Sequence, residues 1–272
     1  MSDKEDTNTI EIKTVQTPSI KTVFESLKDI LIDANLRFSS KEIKIIEANP
    51  TKTLFVHMQL NNSFEKFECK KNKIVGINLT NLYKPMKTMS SSDVLTIRIK
   101  DDPEKKKAEV ITLDIENSEK GKCLSCDIKL MDINITNISL DELNYESAIT
   151  MPSEELQNIC KAMLSFDIEV VDIKNVGKFL SFAGVSDTGA YKYKYTSDET
   201  DVVIKPKSKN VVQGYFSLKY LSQFTKCTNL SSHVTLFLGN NMPITVQYDV
   251  GAMGQLKFVL APKKVTKVGG GA

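Results

Sequence analysis

The chain has 272 residues, 41% apolar and 26% charged, ordinary globular values that suit two cores of about 130 residues each. The 36 basic residues against 34 acidic ones leave a net charge of +2, which excludes a uniformly basic surface; any nucleic-acid contact must be a local stripe. Arginine occurs only at Arg37 and Arg98, so the chain lacks the planar forks that read base edges, and sequence-specific DNA recognition is disfavoured.

The opening stretch "MSDKEDTNTIEIK" is polar and charged, unlike a signal peptide, and no apolar run reaches the length of a membrane span. Cys69, Cys123, Cys126, Cys160 and Cys227 then read as reduced thiols of a soluble intracellular protein. Residues 18–31, "PSIKTVFESLKDIL", space Ile20, Val23, Phe24, Leu27, Ile30 and Leu31 as one buried helical stripe, with Ser19 placed to cap it. A strand follows at 53–60. A second helix is expected within 76–88, "GINLTNLYKPMKT", kinked or ended by Pro85. Strands are expected at 91–99 and 110–116. Residues 129–146 are neither helical nor alternating and read as a connector.

Beyond the connector, 152–165, "PSEELQNICKAMLS", repeats the helical spacing at Leu156, Ile159, Cys160 and Met163, with Ser153 as cap. Strands at 168–173 and 190–197 precede a helix within 214–226, and strands at 231–238 and 244–250 follow. The last strand, "QLKFVL", stops at Ala261-Pro262. Three pairs recur in order: the two Pro-Ser helices, 76–88 with 214–226, and the Ser-Ser turns opening 91–99 and 231–238. Their offsets all lie near 134–140 residues, the mark of a duplication. Each half is two helices among many short strands, an α+β fold.

Catalytic signatures are missing. There is no Gly-rich phosphate loop, HExxH or G-x-S-x-G, and the two histidines, His57 and His233, sit in or beside strand patterns. "CLSC" (123–126) lies in a strand-like segment that sends its two thiols to opposite faces, with no second pair to complete a zinc site. Asp101-Asp102 and Glu154-Glu155 occupy a turn and a helical first turn, where acids are ordinary. We therefore expect no catalysis, metal or cofactor. What stands out is lysine on the helices: Lys21 and Lys28 seven apart, Lys219 and Lys226 seven apart, Lys84 and Lys87 three apart, and Lys161.

"ESLKDIL", "GINLTNL", "KLMDIN", "LSSHVTLFL" and "MPITVQYDVGAMGQLKFVLAPK" closely resemble proliferating cell nuclear antigen, the eukaryotic DNA sliding clamp, over roughly residues 10–263. The resemblance implies a DNA clamp fold of two duplicated domains, with helices packed on antiparallel sheets, assembling head to tail as a homotrimeric six-domain ring. Its expected divisions are an N-terminal extension (1–9), a first domain (10–127), a connector (128–145), a second domain (146–263) and a tail (264–272). The subunit interface maps to edge strands near 118–126, with Cys123 and Cys126, and 188–196, with Tyr191 and Tyr193. Lys21, Lys28, Lys84, Lys87, Lys161, Lys219 and Lys226 become the DNA-facing positions, touching double-stranded DNA without reading sequence. Thr22 and Asn158 stand where relatives are often basic, so the lining is less positive.

The family also binds short peptides carrying the PIP motif, a Gln with apolar and two aromatic residues, in an apolar groove. It maps here to Ala48, Lys52, Thr53 and Phe55, to Ile138 and Leu140 of the connector, and to Pro243, Val259, Leu260, Ala261 and Pro262. Lys52 replaces a His, Ala48 a Met, Asp141 a Pro and Val259 a Tyr, which points to altered peptide preference. The lysine that relatives modify with ubiquitin falls near Lys174 but, ungapped, on Asn175, so that regulation is not carried over. The implied function is a DNA polymerase processivity factor in replication, repair and translesion synthesis, with polymerase, clamp loader, flap endonuclease and DNA ligase as partners. It would act in the nucleus, or in a viral replication compartment for a divergent viral or protist member. The alternative is a clamp-fold scaffold or a heterotrimeric checkpoint-type subunit.

Overall fold

The computed structural model describes residues 9–102, 104, 107–135, 143–197, 200–207 and 210–264. They form two compact units. The first holds the described residues up to Pro50, from Val56 to 135, and Val250–Leu256; the second holds Thr51–Phe55, 143–249 and 257–264.

In the first unit the chain runs β1 (Ile10–Thr14), α1 (Thr17–Lys28), β2 (Asp33–Phe38), β3 (Glu42–Ala48), β4 (Leu54–Asn61), β5 (Lys66–Cys69) and β6 (Lys73–Asn78). It continues as α2 (Leu79–Met86), β7 (Val94–Ile99), β8 (Val110–Asn117) and β9 (Lys122–Lys129). One sheet is ordered β5-β1-β7-β8-β9, and the other runs β4-β3-β2-β6. Period-two alternation explains the core: Ile12, Ile97, Leu113 and Cys126 form one cross-strand row, and Ile10, Ile99, Ile111 and Ile128 the next. Ile20 and Phe24 of α1, Leu82 and Met86 of α2, Ile97 and Ile111 of one sheet and Leu36 and Ile43 of the other line a single residual void of about 10 Å³. Helices and both sheets thus share one close-packed core.

The second unit repeats the scheme with β10 (Ser147–Pro152), α3 (Ser153–Ser165), β11 (Val170–Val176), β12 (Phe179–Ser186), β13 (Gly189–Thr196), β14 (Val203–Pro206) and β15 (Val212–Ser217). Then come α4 (Leu218–Phe224), a 3₁₀ segment (Thr225–Leu230), β16 (His233–Leu238), β17 (Ile244–Asp249) and β18 (Gly254–Leu260). Its sheets are ordered β14-β10-β16-β17-β18 and β13-β12-β11-β15. Strand for strand this is the order of the first unit, so the duplication read from turns and helices extends to the pairing. Phe224 and Phe258 stack at 4.5 Å in its core, and Tyr248 is wholly buried, which pushes its phenol pKa well up.

Three local expectations change. Ser19 and Ser153 do not cap their helices: α1 starts at Thr17, putting Ser19 inside it, and α3 starts at Ser153 behind Pro152. The α-helices near residues 80 and 220 are short, because Gly76–Asn78 belong to β6 and Pro85 permits only one further helical residue. Helix α4 tightens into the 3₁₀ segment at Thr225, where the Thr225 hydroxyl donates to the Ser222 carbonyl (2.8 Å) and Thr228 to that of Thr225 (2.6 Å). Lys219 and Lys226 therefore do not share one α-helical face.

Candidate nucleic-acid and peptide-binding sites

In the first unit α1 and α2 are held together through the loop after α2. Lys21 Nζ donates to the carbonyls of Lys87 (2.9 Å) and Met89 (3.0 Å), and Thr17 Oγ1 to that of Ser90 (2.9 Å). The loop is braced by Asp93, whose carboxylate accepts from Ser90 N, Ser90 Oγ and Asn117 Nδ2; these bonds hold its pKa down at about 2. The Lys21 bonds satisfy carbonyls just beyond a helix C-terminus, where a cation is favoured. Gln157 is the counterpart in α3, one residue after the first apolar position of the stripe, and its Nε2 donates to the Thr225 carbonyl (2.9 Å). A neutral amide does the same work, so the tether needs a donor and not a charge.

Lys21 is therefore a staple between α1 and the loop after α2. Lys21→Met is expected to lower the unfolding free energy by about 1–2 kcal/mol, whereas Lys21→Gln stays near wild type. Urea denaturation monitored by circular dichroism checks this; equal loss in both variants would show that charge is what matters.

The other lysines divide. Lys28 Nζ lies 2.7 Å from Asp29 Oδ1 and 5.1 Å from the centre of the Tyr83 ring. The Tyr83 phenol is itself pushed up to about 12, by burial and then by Glu25 accepting its hydrogen bond. Lys84 donates to Asn81 Oδ1 (2.9 Å) and Lys161 to Gln157 Oε1 (2.8 Å), neutral partners that leave the charge uncompensated. Lys84, Lys87, Lys161, Lys219 and Lys226 are all exposed, and Lys21 and Lys28 half-buried. The first group can reach phosphates most readily. The Lys21 tether had no signal in spacing alone, since it depends on where the chain returns in space.

Of the groove positions, Ile138 and Leu140 lie outside the described residues, as does Asp141, and Ala48 ends β3 in the first unit. The second unit holds the others. Val259 and Leu260 are buried, whereas Phe55, Pro243 and Ala261 are half-buried and Lys52, Thr53 and Pro262 exposed. At the strand end Ala261 N–H donates to Thr53 O (2.9 Å) and Lys263 N–H to Tyr215 O (2.7 Å), and Pro262 has no N–H. Lys52 sits at φ 54°, a left-handed backbone that fixes the tight turn before β4.

The interface positions fall on terminal strands. Strand β9 ends its sheet, with Cys123 exposed opposite Glu116 and Cys126 opposite buried Leu113, so the two thiols do face opposite sides. Strand β13 ends the other, with Tyr191 stacked on Phe166 at 3.9 Å and Tyr193 opposite Phe182. Asn175 is 1% exposed and donates to the Gly177 and Phe179 carbonyls. Among the described residues no group of three His, Cys, Asp or Glu side chains could hold a metal, and no helix is long and apolar enough to cross a membrane.

Two nine-strand, two-helix units with one repeated sheet order define the class: an α+β protein of the DNA clamp fold. Residues 9–138 match the family model for the N-terminal domain of proliferating cell nuclear antigen and residues 139–263 that for its C-terminal domain. The chain belongs to the proliferating cell nuclear antigen family. It is 33% identical over 257 residues to the "Probable DNA polymerase sliding clamp 1" of Paramecium bursaria Chlorella virus 1, covering 92% of this chain and 95% of that one. It is also 33% identical over 260 residues to the "Proliferating cell nuclear antigen" of Dictyostelium discoideum, covering 93% and 98%.

Proposed function

We propose that this protein is a DNA sliding clamp: a homotrimeric ring that encircles duplex DNA, confers processivity on a DNA polymerase and has no catalysis of its own. The observation that carries the reading is the repetition of the sheet order together with strands β9 and β13, eight residues each, at the ends of their sheets. Such edges seek a partner strand, and head-to-tail pairing of β9 with β13 of the next subunit closes by rotation. Exposed lysines on the helices and the 3₁₀ segment give weak, sequence-blind phosphate contacts, which let a ring slide while topology prevents its loss.

The strand end at Val259–Pro262, with Phe55 and Pro243, receives PIP-type peptides of the polymerase, clamp loader, flap endonuclease and ligase, and so serves replication, repair and translesion synthesis. The place of action is the nucleus or a viral replication compartment, in keeping with the amoebal and viral relatives. The test is to load the protein onto nicked circular DNA with its clamp loader and then cut the circle. Retention on circles and release from linear DNA is expected. Equal retention on both would mean site binding and overturn the proposal.

A further inference from the structure

The sheet β13-β12-β11-β15 carries an outward face unlike its counterpart in the first unit. Its register sets four cross-strand rows: Val176–Phe179–Thr196; Gln213–Lys174–Ser181–Lys194; Tyr215–Asp172–Ala183–Lys192; and, at the far end, Val170 and the pair Val185–Ala190. Residues of the opposite parity, such as Leu180, Phe182 and Val212, are buried. Phe179 is 62% and Val185 75% exposed, so both ends of the face are apolar. Between them the small Ala183 leaves a depression of about 390 Å³, bordered by Val170, Asp172, Val185, Lys192 and Tyr215.

On this face three lysines, Lys174, Lys192 and Lys194, outnumber the single carboxylate, Asp172. Both oxygens of Asp172 accept from Gln213 Nε2 at 2.8 Å, so its carboxylate is occupied. Among the described residues Lys174, Lys192 and Lys194 have no carboxylate within ion-pair distance. The matching strands of the first unit satisfy themselves instead: Lys44 pairs with Glu42 at 2.7 Å, Gln59 donates to Glu42 at 2.5 Å, and Asn35 donates to Glu47 at 3.1 Å. Two copies of one sheet have thus diverged, one into closed polar pairs and the other into apolar ends around three unpaired lysines.

We propose that this face docks an extended acidic segment of a protein partner, with two large apolar side chains about six residues apart and carboxylates between them. The spacing follows from the strand: Phe179 and Val185 are six residues apart on β12, about 20 Å at ~3.3 Å per residue, and an extended segment lying along the strand spans that distance in as many residues. One apolar side chain covers Val176 and Phe179. The other enters the depression beside Val185, and the intervening carboxylates meet Lys174, Lys194 and Lys192. Duplex DNA satisfies the lysines but leaves both apolar ends uncovered, which favours the peptide.

The probe is a fluorescein-labelled synthetic peptide with two leucines six positions apart and glutamates between, titrated with the full chain by anisotropy. Saturable binding is expected, weakened about tenfold or more by Phe179→Ser, by Ala183→Arg, which fills the depression, and by Lys174→Glu with Lys194→Glu. Replacing the two leucines of the peptide by serine should cost as much. Phe179→Ser alters a side chain already in water, so an unchanged melting temperature certifies the fold; Val185→Ser is the second variant should Ala183→Arg melt early. Binding that ignores these substitutions, absence of binding at millimolar protein, or equal competition by duplex DNA and by the serine peptide would each overturn the proposal.

Discussion

Replacing Cys126 with arginine is expected to reduce the assembled particle from about three times the 30.4 kDa chain mass to a single chain, read by size-exclusion chromatography with light scattering. Cys126 continues the apolar row Ile12, Ile97, Leu113 to the last strand of its sheet. In an isolated chain that position lies at a sheet edge, where a long side chain can turn its guanidinium to water and the core stays intact. With β13 of the next subunit paired against β9, the same guanidinium is enclosed beneath the joined sheet with no carboxylate in its row. An uncompensated buried charge costs about 3–5 kcal/mol, which weakens association roughly 10²- to 10⁴-fold per contact. The melting temperature of the variant monomer should stay cooperative. A variant that remains trimeric would move the interface elsewhere, and a wild-type protein that is monomeric at micromolar concentration would remove the ring.

What the sequence made legible was whatever local chemistry records. The duplication was visible because Pro-Ser and Ser-Ser turns and the apolar spacing of α1 and α3 recur at one offset, and those are nearest-neighbour signals. The sheet orders were not, because β1 lies between β5 and β7 only through contacts more than fifty residues apart. Helix lengths were overread for a related reason. "GINLTNLYKPMKT" keeps an apolar rhythm through Gly76–Asn78 although those residues pair with β2, and tertiary pairing overrides the pattern.

The lysines show the same division. Spacing grouped half-buried Lys21 and Lys28 with exposed lysines, and Lys21 and Gln157, so different as residue types, hold equivalent places as donors to the end of the neighbouring helix. No spacing rule links them, because the acceptors are backbone carbonyls, to which residue identity is silent. Val259 is a comparable case: a strand end is expected to alternate, but Phe258, Val259 and Leu260 are all buried. The Val259 side chain therefore packs beneath the strand end and not on its surface.

Replacing Lys84, Lys87, Lys219 and Lys226 together by alanine is expected to flatten the salt dependence of duplex binding while leaving assembly unchanged. These side chains are exposed on α2, the residue after it, α4 and the 3₁₀ segment. A lysine that meets a phosphate releases about 0.9 counterion, so the slope of log K against log salt should fall by at most about 3.6 per subunit, or about 11 for a ring of three. The true value counts how many lysines touch DNA at once. Because the contacts are weak individually, affinity for short linear duplex should drop most at low salt, where each released counterion contributes most. Retention on closed circles should survive, since enclosure and not attraction prevents escape. Lys41→Ala, on the turn between β2 and β3, is the control. An unchanged slope in the quadruple variant would place the DNA on another surface, and loss of retention on circles would mean that attraction, rather than the ring, holds the protein on DNA.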